Sequence, residues 1–395
     1  MQERQQSTTV PEQSLSVCVV TGTRAEYGIL RELLCVMAVT PEIALSLVVT
    51  GSHLSAEFGS TIREIEADGL VIAEKVPMLV DCAPATSAAY SFGMGALGLA
   101  SALDRLAPDL LLVLGDRYEV LAAASVALLL GIPIAHLCGG DVTEGANDDS
   151  MRHAISKLAS LHFPSNEQSA RRLRQMGEAA ERVHVVGTPA LDALRRMQFL
   201  DRDAFCGEVG LDPAKPFILF TMHPETHAAD GGLAVLEATL AALQEVPTHS
   251  LLVTAANADA HGRIFNDRLR AFCAARVDAV FYPSLGHRLY FNALKHAACM
   301  VGNSSSGLYE APSFALPVVN LGDRQAGRLR GGNVHDCPGS PDAAAVARTL
   351  ATALAAPPPA PDNPYGDGHA SERIVKVLLS LSRDSLSARK HFVGQ

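Results

Sequence analysis

The chain has 395 residues, with 32 lysines and arginines against 42 aspartates and glutamates; 48% of its side chains are apolar and only 5% aromatic. At about 100 to 200 residues per domain this length calls for two domains, and the apolar fraction excludes a disordered chain. A formal charge of −10 argues against nucleic acid as a partner, because phosphates need a surplus of cations, so any bound anion must be held locally.

The opening stretch, residues 1–14, reads as a disordered tail; it carries acids and no apolar run, so it does not read as a secretory leader. From Leu15 onward, short apolar runs alternate with longer helix-like segments, which is the pattern of a parallel sheet wrapped by helices. In the first half the strand candidates are Ser16 to Val20, Leu45 to Thr50, Leu110 to Leu114, Pro133 to His136 and Val183 to Val186. The second half repeats the scheme with Pro216 to Thr221, Ser250 to Thr254, Ala279 to Tyr282, Cys299 to Val301 and Pro317 to Asn320. Charged and small polar residues gather where these strands end, and in open α/β sheets the carboxyl ends of the strands face the ligand. A domain change is expected between Arg195 and Pro216. The proline-rich run from Ala356 to Gly366 suits neither helix nor central strand, and Ser371 to Leu381 reads as a closing helix.

The expected fold class is therefore α/β, with two Rossmann-like domains facing a cleft and a C-terminal helix packing back across them. The boundaries are 15–195 for the first domain, 196–366 for the second, and 367–395 for the closing helix and tail. The longest apolar stretch, Val120 to Ala135, is interrupted by Gly131 and Pro133 and is too short to span a bilayer. Cys18, Cys35, Cys82, Cys138, Cys206, Cys273, Cys299 and Cys337 form no CxxC pair, which excludes a zinc ribbon and fits thiols kept reduced in the cytoplasm.

A GxGxxG match at Gly93, Gly95 and Gly98 follows TSAAYSF, which looks helical, whereas a dinucleotide fingerprint needs a strand before its first glycine. Close helix packing is the better reading. The run from Gly302 to Gly307, containing Ser304, Ser305 and Ser306, leaves a strand and enters a helix carrying Glu310. Backbone N–H groups and hydroxyls would converge there on a diphosphate. Arg324, Arg328 and Arg330 follow one strand later.

In the first half Arg24 and Glu26 follow strand one, and His53 follows strand two. Asp116, Arg117 and Glu119 follow Leu114; then come His136, Cys138, Asp141, Glu144, Asp148, Asp149, Arg152 and His153. So many ionisable groups at neighbouring strand ends point to acid–base work, since burial and like charges move pKa values apart. His223 opens the second half directly after a strand. The chain holds no HExxH, Walker or GxSxG spacing, so metal and serine-hydrolase chemistry are not expected.

Together TGTRAEYG, GDRYE, GGDVTEGANDDSMRHAISKLASLHF, MHPET, GNSSSGLYEAPS and VNLGDRQAGR resemble the hydrolysing UDP-N-acetylglucosamine 2-epimerases of sialic-acid biosynthesis, from about Val17 to about Leu379. The resemblance implies a glycosyltransferase-B architecture with UDP in the cleft, and release of UDP with N-acetylmannosamine. Relatives in the same branch act on UDP-N,N'-diacetylbacillosamine for legionaminic acid. It implies that Arg24, His223, Ser304, Ser305 and Ser306, with Gly307, line the diphosphate region, that Glu310 binds the ribose, and that Arg324 and Asn257 help hold the nucleotide. His53 and Arg117 join the substrate-facing set. Asp116 and Asp148 match acid–base positions, with His223 stabilising charge on the diphosphate. Neither a cofactor nor a metal is implied, and a homodimer is.

Two positions depart from the pattern. Cys138 stands where relatives carry Glu or His, leaving Asp141 and Asp148 as candidates for the second proton-handling group. Ile29 stands where some relatives have Lys. A glycosyltransferase of the same architecture is the rival enzyme, distinguished by a need for an acceptor; a nucleotide-sugar sensor is the non-enzymatic rival.

Overall fold

The run LSVCVVT, apolar at nearly every position, forms a strand buried on both faces, as central parallel strands are. In this computed structural model the described residues are 14–56, 59–80, 84–142, 147–225, 230–256, 261–357, 359–382 and 386–394. The chain divides into two units, the first made of the described residues up to Ala193 and those from Gly366 onward, the second running from Leu194 to Tyr365.

In chain order the first unit contains β1 (Leu15–Thr21), α1 (Arg24–Ala38), β2 (Ile43–Thr50), α2 (Ile62–Ala67), β3 (Ile72–Val76) and α3 (Pro84–Leu106). It continues through β4 (Leu110–Leu114), α4 (Tyr118–Leu129), β5 (Ile134–Leu137), α5 (Asn147–Leu158), β6 (Leu161–Phe163) and α6 (Glu167–Gln175). α7 (Asp192–Arg196) leads into the second unit: α8 (Arg202–Val209), β7 (Phe217–Thr221), α9 (Leu233–Gln244), β8 (Ser250–Thr254), α10 (Gly262–Ala274) and β9 (Ala279–Tyr282). Then come α11 (Gly286–His296), β10 (Cys299–Gly302), α12 (Ser306–Tyr309), β11 (Val318–Leu321), β12 (Val334–Cys337) and α13 (Ala343–Ala355). The last helix, α14 (Ala370–Ser380), belongs to the first unit.

Each unit has one six-stranded sheet, with order β3-β2-β1-β4-β5-β6 in the first and β12-β11-β10-β7-β8-β9 in the second. Among the described residues every strand pairing in the two sheets is parallel. Both sheets therefore reverse their winding beside their first strand, between β1 and β4 and between β7 and β10, which is where ligands bind in this architecture. Apolar side chains cover both faces of each sheet.

Val183 to Val186 does not form the expected strand. The sixth place is taken by β6; the 183–186 segment lies alongside it, joined by an isolated bridge between His162 and Val183 and by the His184 and Val186 N–H groups donating to the His162 and Pro164 carbonyls at 2.9 and 3.2 Å, without forming a strand of its own. β3 and β12 were not legible as strands because both are edge strands whose alternating charged and polar residues, IAEKV and VHDC, leave no continuous apolar run. The three glycines of the GxGxxG match lie inside α3, where a Cβ on Gly95 would come within 2.6 Å of Met78 and one on Gly98 within 2.5 Å of Val76. Gly95 and Gly98 thus serve close packing, as expected, whereas a Cβ on Gly93 would meet nothing within 4 Å.

α14 lays Ile374, Val375 and Leu378 into the core beside Leu30, Leu33, Leu34 and Met37 of α1. Its first turn is capped from far along the chain: the N–H groups of Ala370 and Ser371 donate to the two carboxylate oxygens of Asp192 at 3.0 and 2.6 Å. A carboxylate at a helix N-terminus satisfies otherwise orphaned donors. Among the described residues no helix is long and apolar enough to cross a membrane, and the described cysteines form no disulfide.

Candidate active site

The turn after β1 is shaped by a capping box. The Thr23 hydroxyl accepts from the Glu26 N–H, while the Glu26 carboxylate accepts from Gly22 N at 2.7 Å and Thr23 N at 3.2 Å. This draws Glu26 inward beside the β4 exit, where Arg117 grips Glu119 at 3.1 and 3.2 Å and approaches Glu26 at 4.0 Å. Burial pushes the Glu26 carboxyl up to about 8, against the Gly22 hydrogen bond, and the charge of Glu119 adds to the rise. Its Oε1 has no hydrogen-bond partner, as suits a neutral carboxylic acid.

Asp116 is held by Arg152, which comes from α5 and is itself buried. The same guanidinium donates to the Asp141 carbonyl at 2.9 Å and reaches Asp149 at 3.4 Å. Arg152 thus gathers three acidic positions predicted from sequence. Asp148 lies on the first turn of α5; desolvation raises its pKa, the charge of Asp116 raises it further, and Arg117 and Arg152 oppose the rise. Asp141 accepts from Ser169 at 2.5 Å and Ser165 at 3.3 Å, which ties it to the start of α6.

Below this cluster His136 is fully buried. Its Nε2 lies 2.7 Å from the Gly115 carbonyl and its Nδ1 3.1 Å from Ser156 Oγ. A carbonyl only accepts, so Nε2 carries the proton and Nδ1 accepts the serine hydroxyl. Burial lowers this imidazole to about 3, so it is a neutral strut joining β4, β5 and α5. Cys138 has a positive φ of 59° and its thiol is pushed up by burial; it stays protonated and is a poor proton acceptor at neutral pH.

Three other predicted residues of this unit have partners within the protein. Arg24, at the start of α1, is exposed and pairs with Glu64 at 3.0 Å. His53 is fully buried, with its ring nitrogens 3.1 Å from Thr21 Oγ1 and 2.8 Å from Thr61 Oγ1, and burial lowers it to about 4. In this structure it joins β1 to the start of α2 and shows no surface to a ligand. Arg117 faces solvent but is turned toward Glu119.

In the second unit the two strands at the winding reversal are locked together just past their ends. Asn303 is buried; its side chain accepts from the His223 N–H at 2.7 Å and donates to the His223 carbonyl at 2.8 Å. Gly302 has φ 140°, and a Cβ there would collide with the Thr221 carbonyl, so only glycine allows β7 and β10 to close so tightly. Arg324 and Gln325 donate to the Asn303 carbonyl at 3.2 and 2.8 Å, bringing the loop after β11 to the same place.

The serine run is a hydroxyl network. Ser304 Oγ lies 3.1 Å from Ser306 Oγ, which lies 2.5 Å from the Tyr290 hydroxyl of α11. Thr221 and Thr254 hydroxyls meet at 2.7 Å nearby in the sheet. The helix expected after Gly302 is only the single turn of α12, with Glu310 just past it and a tight 3-10 turn at Ala311–Phe314 following. One turn sums few peptide dipoles, so donors here are mainly individual hydroxyl and N–H groups. Gly307 faces the core, where a Cβ would meet Val318 at 2.8 Å.

Glu310 is drawn in by these turns; its Oε2 is buried without a hydrogen-bond partner, and burial raises the carboxyl to about 7. Arg330 is committed to Asp336 at 2.7 Å and Arg328 to Gln325 at 2.8 Å, so both brace their loop. Asn257 and Glu144 lie outside the described residues. Sequence reasoning passed over Tyr290, whose phenol completes the serine network; its only signal was an aromatic on the inner face of an amphipathic helix.

Two sheets wound in this order, with polar groups collected at both reversals, define an α/β protein of the glycosyltransferase-B kind. The crystal structure of UDP-GlcNAc 2-epimerase from Neisseria meningitidis bound to UDP-GlcNAc has the same fold, with a TM-score of 0.79 over 93% of this chain and all of that one at 19% identity. The sequence profile of the UDP-N-acetylglucosamine 2-epimerase family matches residues 37–379. The chain belongs to that family, and it is similar to hydrolysing members. It is 39% identical over 321 residues to GDP/UDP-N,N'-diacetylbacillosamine 2-epimerase (hydrolyzing) of Campylobacter jejuni, covering 81% of this chain and 83% of that one. It is 37% identical over 369 residues to UDP-N,N'-diacetylbacillosamine 2-epimerase (hydrolyzing) of Legionella pneumophila, covering 92% and 96%.

Proposed function

We propose that the protein hydrolyses and epimerises UDP-N,N'-diacetylbacillosamine, releasing UDP and the free 2-epimerised sugar in the cytoplasm, where it supplies a nonulosonic (sialic-type) acid pathway. The observation that carries the chemistry is the carboxylate pair at the β4 exit: Asp116 ion-paired to Arg152, beside Asp148 with a raised pKa. The substrate choice is supported by the two relatives at 39% and 37% identity, both named for the diacetylbacillosamine sugar, the first on GDP or UDP and the second on UDP. UDP-N-acetylglucosamine, named in the family description, is the second reading.

In this reading Asp116, oriented by Arg152, takes the proton from C2 as the bond from C1 to the diphosphate oxygen breaks, leaving a glycal and UDP. C2–H is not acidic, so its removal must be concerted with loss of the leaving group or assisted by it. Water then adds its oxygen to C1 while an acid delivers a proton to C2 from the opposite face. Asp148 suits that second step because desolvation and its charged neighbour favour its protonated form. Asp141, held by two serines, orients its neighbours, and the Cys138 thiol stays inert. On the second unit His223, Arg324 and the serines of 304–306 hold the diphosphate, and Glu310 accepts the ribose hydroxyls. Arg24 and Asn257 complete the nucleotide set.

The test is incubation with each donor separately in D2O, reading UDP release by a coupled assay and the sugar by NMR. The expected result is UDP plus a 2-epimer carrying deuterium at C2, formed from the diacetylbacillosamine donor at least about tenfold faster. A sugar released with its C2 configuration and hydrogen retained, or release only with an acceptor alcohol, overturns the reading. Faster turnover of UDP-N-acetylglucosamine replaces the donor and keeps the chemistry.

A further inference from the structure

At the opposite end of α5 from Asp148, residues near the described end of the chain make an ionic contact to the buried Glu178 that the chemistry above does not use. Lys390 donates to the carbonyl of Ala159 at 2.6 Å, the carbonyl of Ser156 at 3.3 Å and the carboxylate of Glu178 at 2.6 Å. Those two carbonyls close the C-terminal end of α5, where a helix leaves its last C=O groups without internal partners and favours a cation. Glu178 is itself buried and also binds Lys157 at 2.5 Å and His162 at 3.0 Å. Burial alone would raise its pKa, yet its hydrogen bonds from His162, Lys157 and Lys390 bring it down to about 2, so the anchor is charged under all ordinary conditions.

A second contact fastens the same segment. The Phe392 ring, otherwise largely exposed, brings its Cδ2, Cε2 and Cζ against Gly177, where any Cβ would collide with them, and Lys157 sits 5.3 Å from the ring centroid. The Val393 N–H donates to the Gly177 carbonyl at 3.0 Å. Just before Lys390, Leu386 packs on the hydrophobic core, and residues 386–389 line one side of an open pocket of about 610 Å³ whose other side is the turns leading into β4 and β5. Beyond Leu386 the polar hold on this segment is made by Lys390, with the largely exposed Phe392 ring and the Val393 N–H adding contacts at Gly177.

What is held is the helix that carries the acid–base groups. From its first turn to its last, α5 bears Asp148, Asp149, Arg152 and Ser156. Arg152 orients Asp116, and Ser156 holds His136, whose other nitrogen binds the carbonyl immediately before Asp116. A shift of α5 along its axis would move both supports of Asp116 together.

We propose that residues 388–393 form a strap that sets the position of α5, with Lys390 as a positioning residue for the carboxylates at the β4 exit. The proposal rests on the epimerase reading for its kinetic consequence but not for its structural one. A misplacement of reacting groups on the order of 1 Å costs up to about a hundredfold in rate, so the strap is expected to act on kcat.

The experiment compares the full-length protein with Lys390→Met, Lys390→Arg and Phe392→Ala. Lys390→Met is expected to lower kcat about tenfold with KM and the dissociation constant for UDP changed less than about twofold. Lys390→Arg, which keeps the cation, recovers most of the rate, and Phe392→Ala gives a smaller loss of the same kind. Hydrogen exchange needs no substrate: α5 amides exchange faster in Lys390→Met while those of α9 and α13 do not. Parent values of both kcat and α5 exchange in Lys390→Met overturn the strap, and so does faster exchange throughout the chain with no recovery in Lys390→Arg. Absence of turnover in the parent refutes the epimerase reading instead, and the exchange measurement still decides the strap.

Discussion

The two sheets reverse their winding in the same way but furnish the reversal differently. At β1 and β4 the loops carry carboxyls and guanidiniums: Glu26, Asp116, Arg117 and Glu119, with Arg152 brought in by α5. At β7 and β10 they carry amide, hydroxyl and backbone groups locked around Asn303, with two carboxyls, Glu225 and Glu310, each having one buried oxygen without a hydrogen-bond partner and each raised by burial. Charged neighbours in a dry place split pKa values and so handle protons. An array of fixed donors handles an anion. One topology thus carries two different polar linings, set by a few residues after each strand; in the proposed function the first takes proton transfer and the second the diphosphate.

The comparison breaks most decisively at Asp116. Asp116→Asn is expected to lower kcat by about a thousandfold, the range of a lost general base, and to leave UDP affinity within about twofold by calorimetry. A parallel loss of UDP binding would show that the first unit's cluster is not devoted to proton transfer. Next comes Arg152→Met, which strands Asp116 and Asp149 beside each other and is expected to cost about 3 kcal/mol of stability in urea unfolding, as loss of one partner of a buried pair does. An unchanged midpoint would show that Arg152 only decorates the cluster.

Glu310 sharpens the comparison through pH. Its folded pKa, about 7, is above the ordinary carboxyl value of 4.5, so the folded state holds a proton that the unfolded state has released between those values. Stability is then full below about pH 4.5 and falls as pH rises toward 7. Glu310→Gln is expected to remove this loss and gain roughly 2 kcal/mol over the parent at pH 8, with little difference at pH 4.5. Equal pH profiles of melting temperature would show that the carboxyl is already ionised where it sits. The smallest effect is Tyr290→Phe, which removes one hydroxyl from the serine network. UDP affinity is expected to fall about fivefold, near 1 kcal/mol, with kcat at saturation within about twofold; a fall in kcat alone would move Tyr290 to the chemistry.

Much of the architecture could be read along the chain because central parallel strands are buried on both faces and so appear as short apolar runs. That is why β1, β4, β7, β8 and β10 were found close to their true bounds, while the edge strands β3 and β12, polar on one side, were not. The Val183 to Val186 run is apolar for another reason: it packs beside β6 without entering the sheet's ladder. Among candidate site residues, the placement of Asp116 and of the serine run just past β4 and β10 was legible from the apolar runs before them. His53 was read the same way, but a strand-end histidine points inward or outward according to packing, and this one is sealed between two threonines.

By itself the sequence determined the alternation of strand and helix, the polar character of the strand exits and, through its motifs, membership of the epimerase family. Only the tertiary structure decided that Arg152 serves Asp116, that Tyr290 serves Ser306, and that Lys390 reaches the end of α5. The physical reason is range. Burial periodicity and turn chemistry act over a few neighbouring residues, whereas an ion pair or buried hydrogen bond joins groups that only the packing of distant segments brings within about 3 Å.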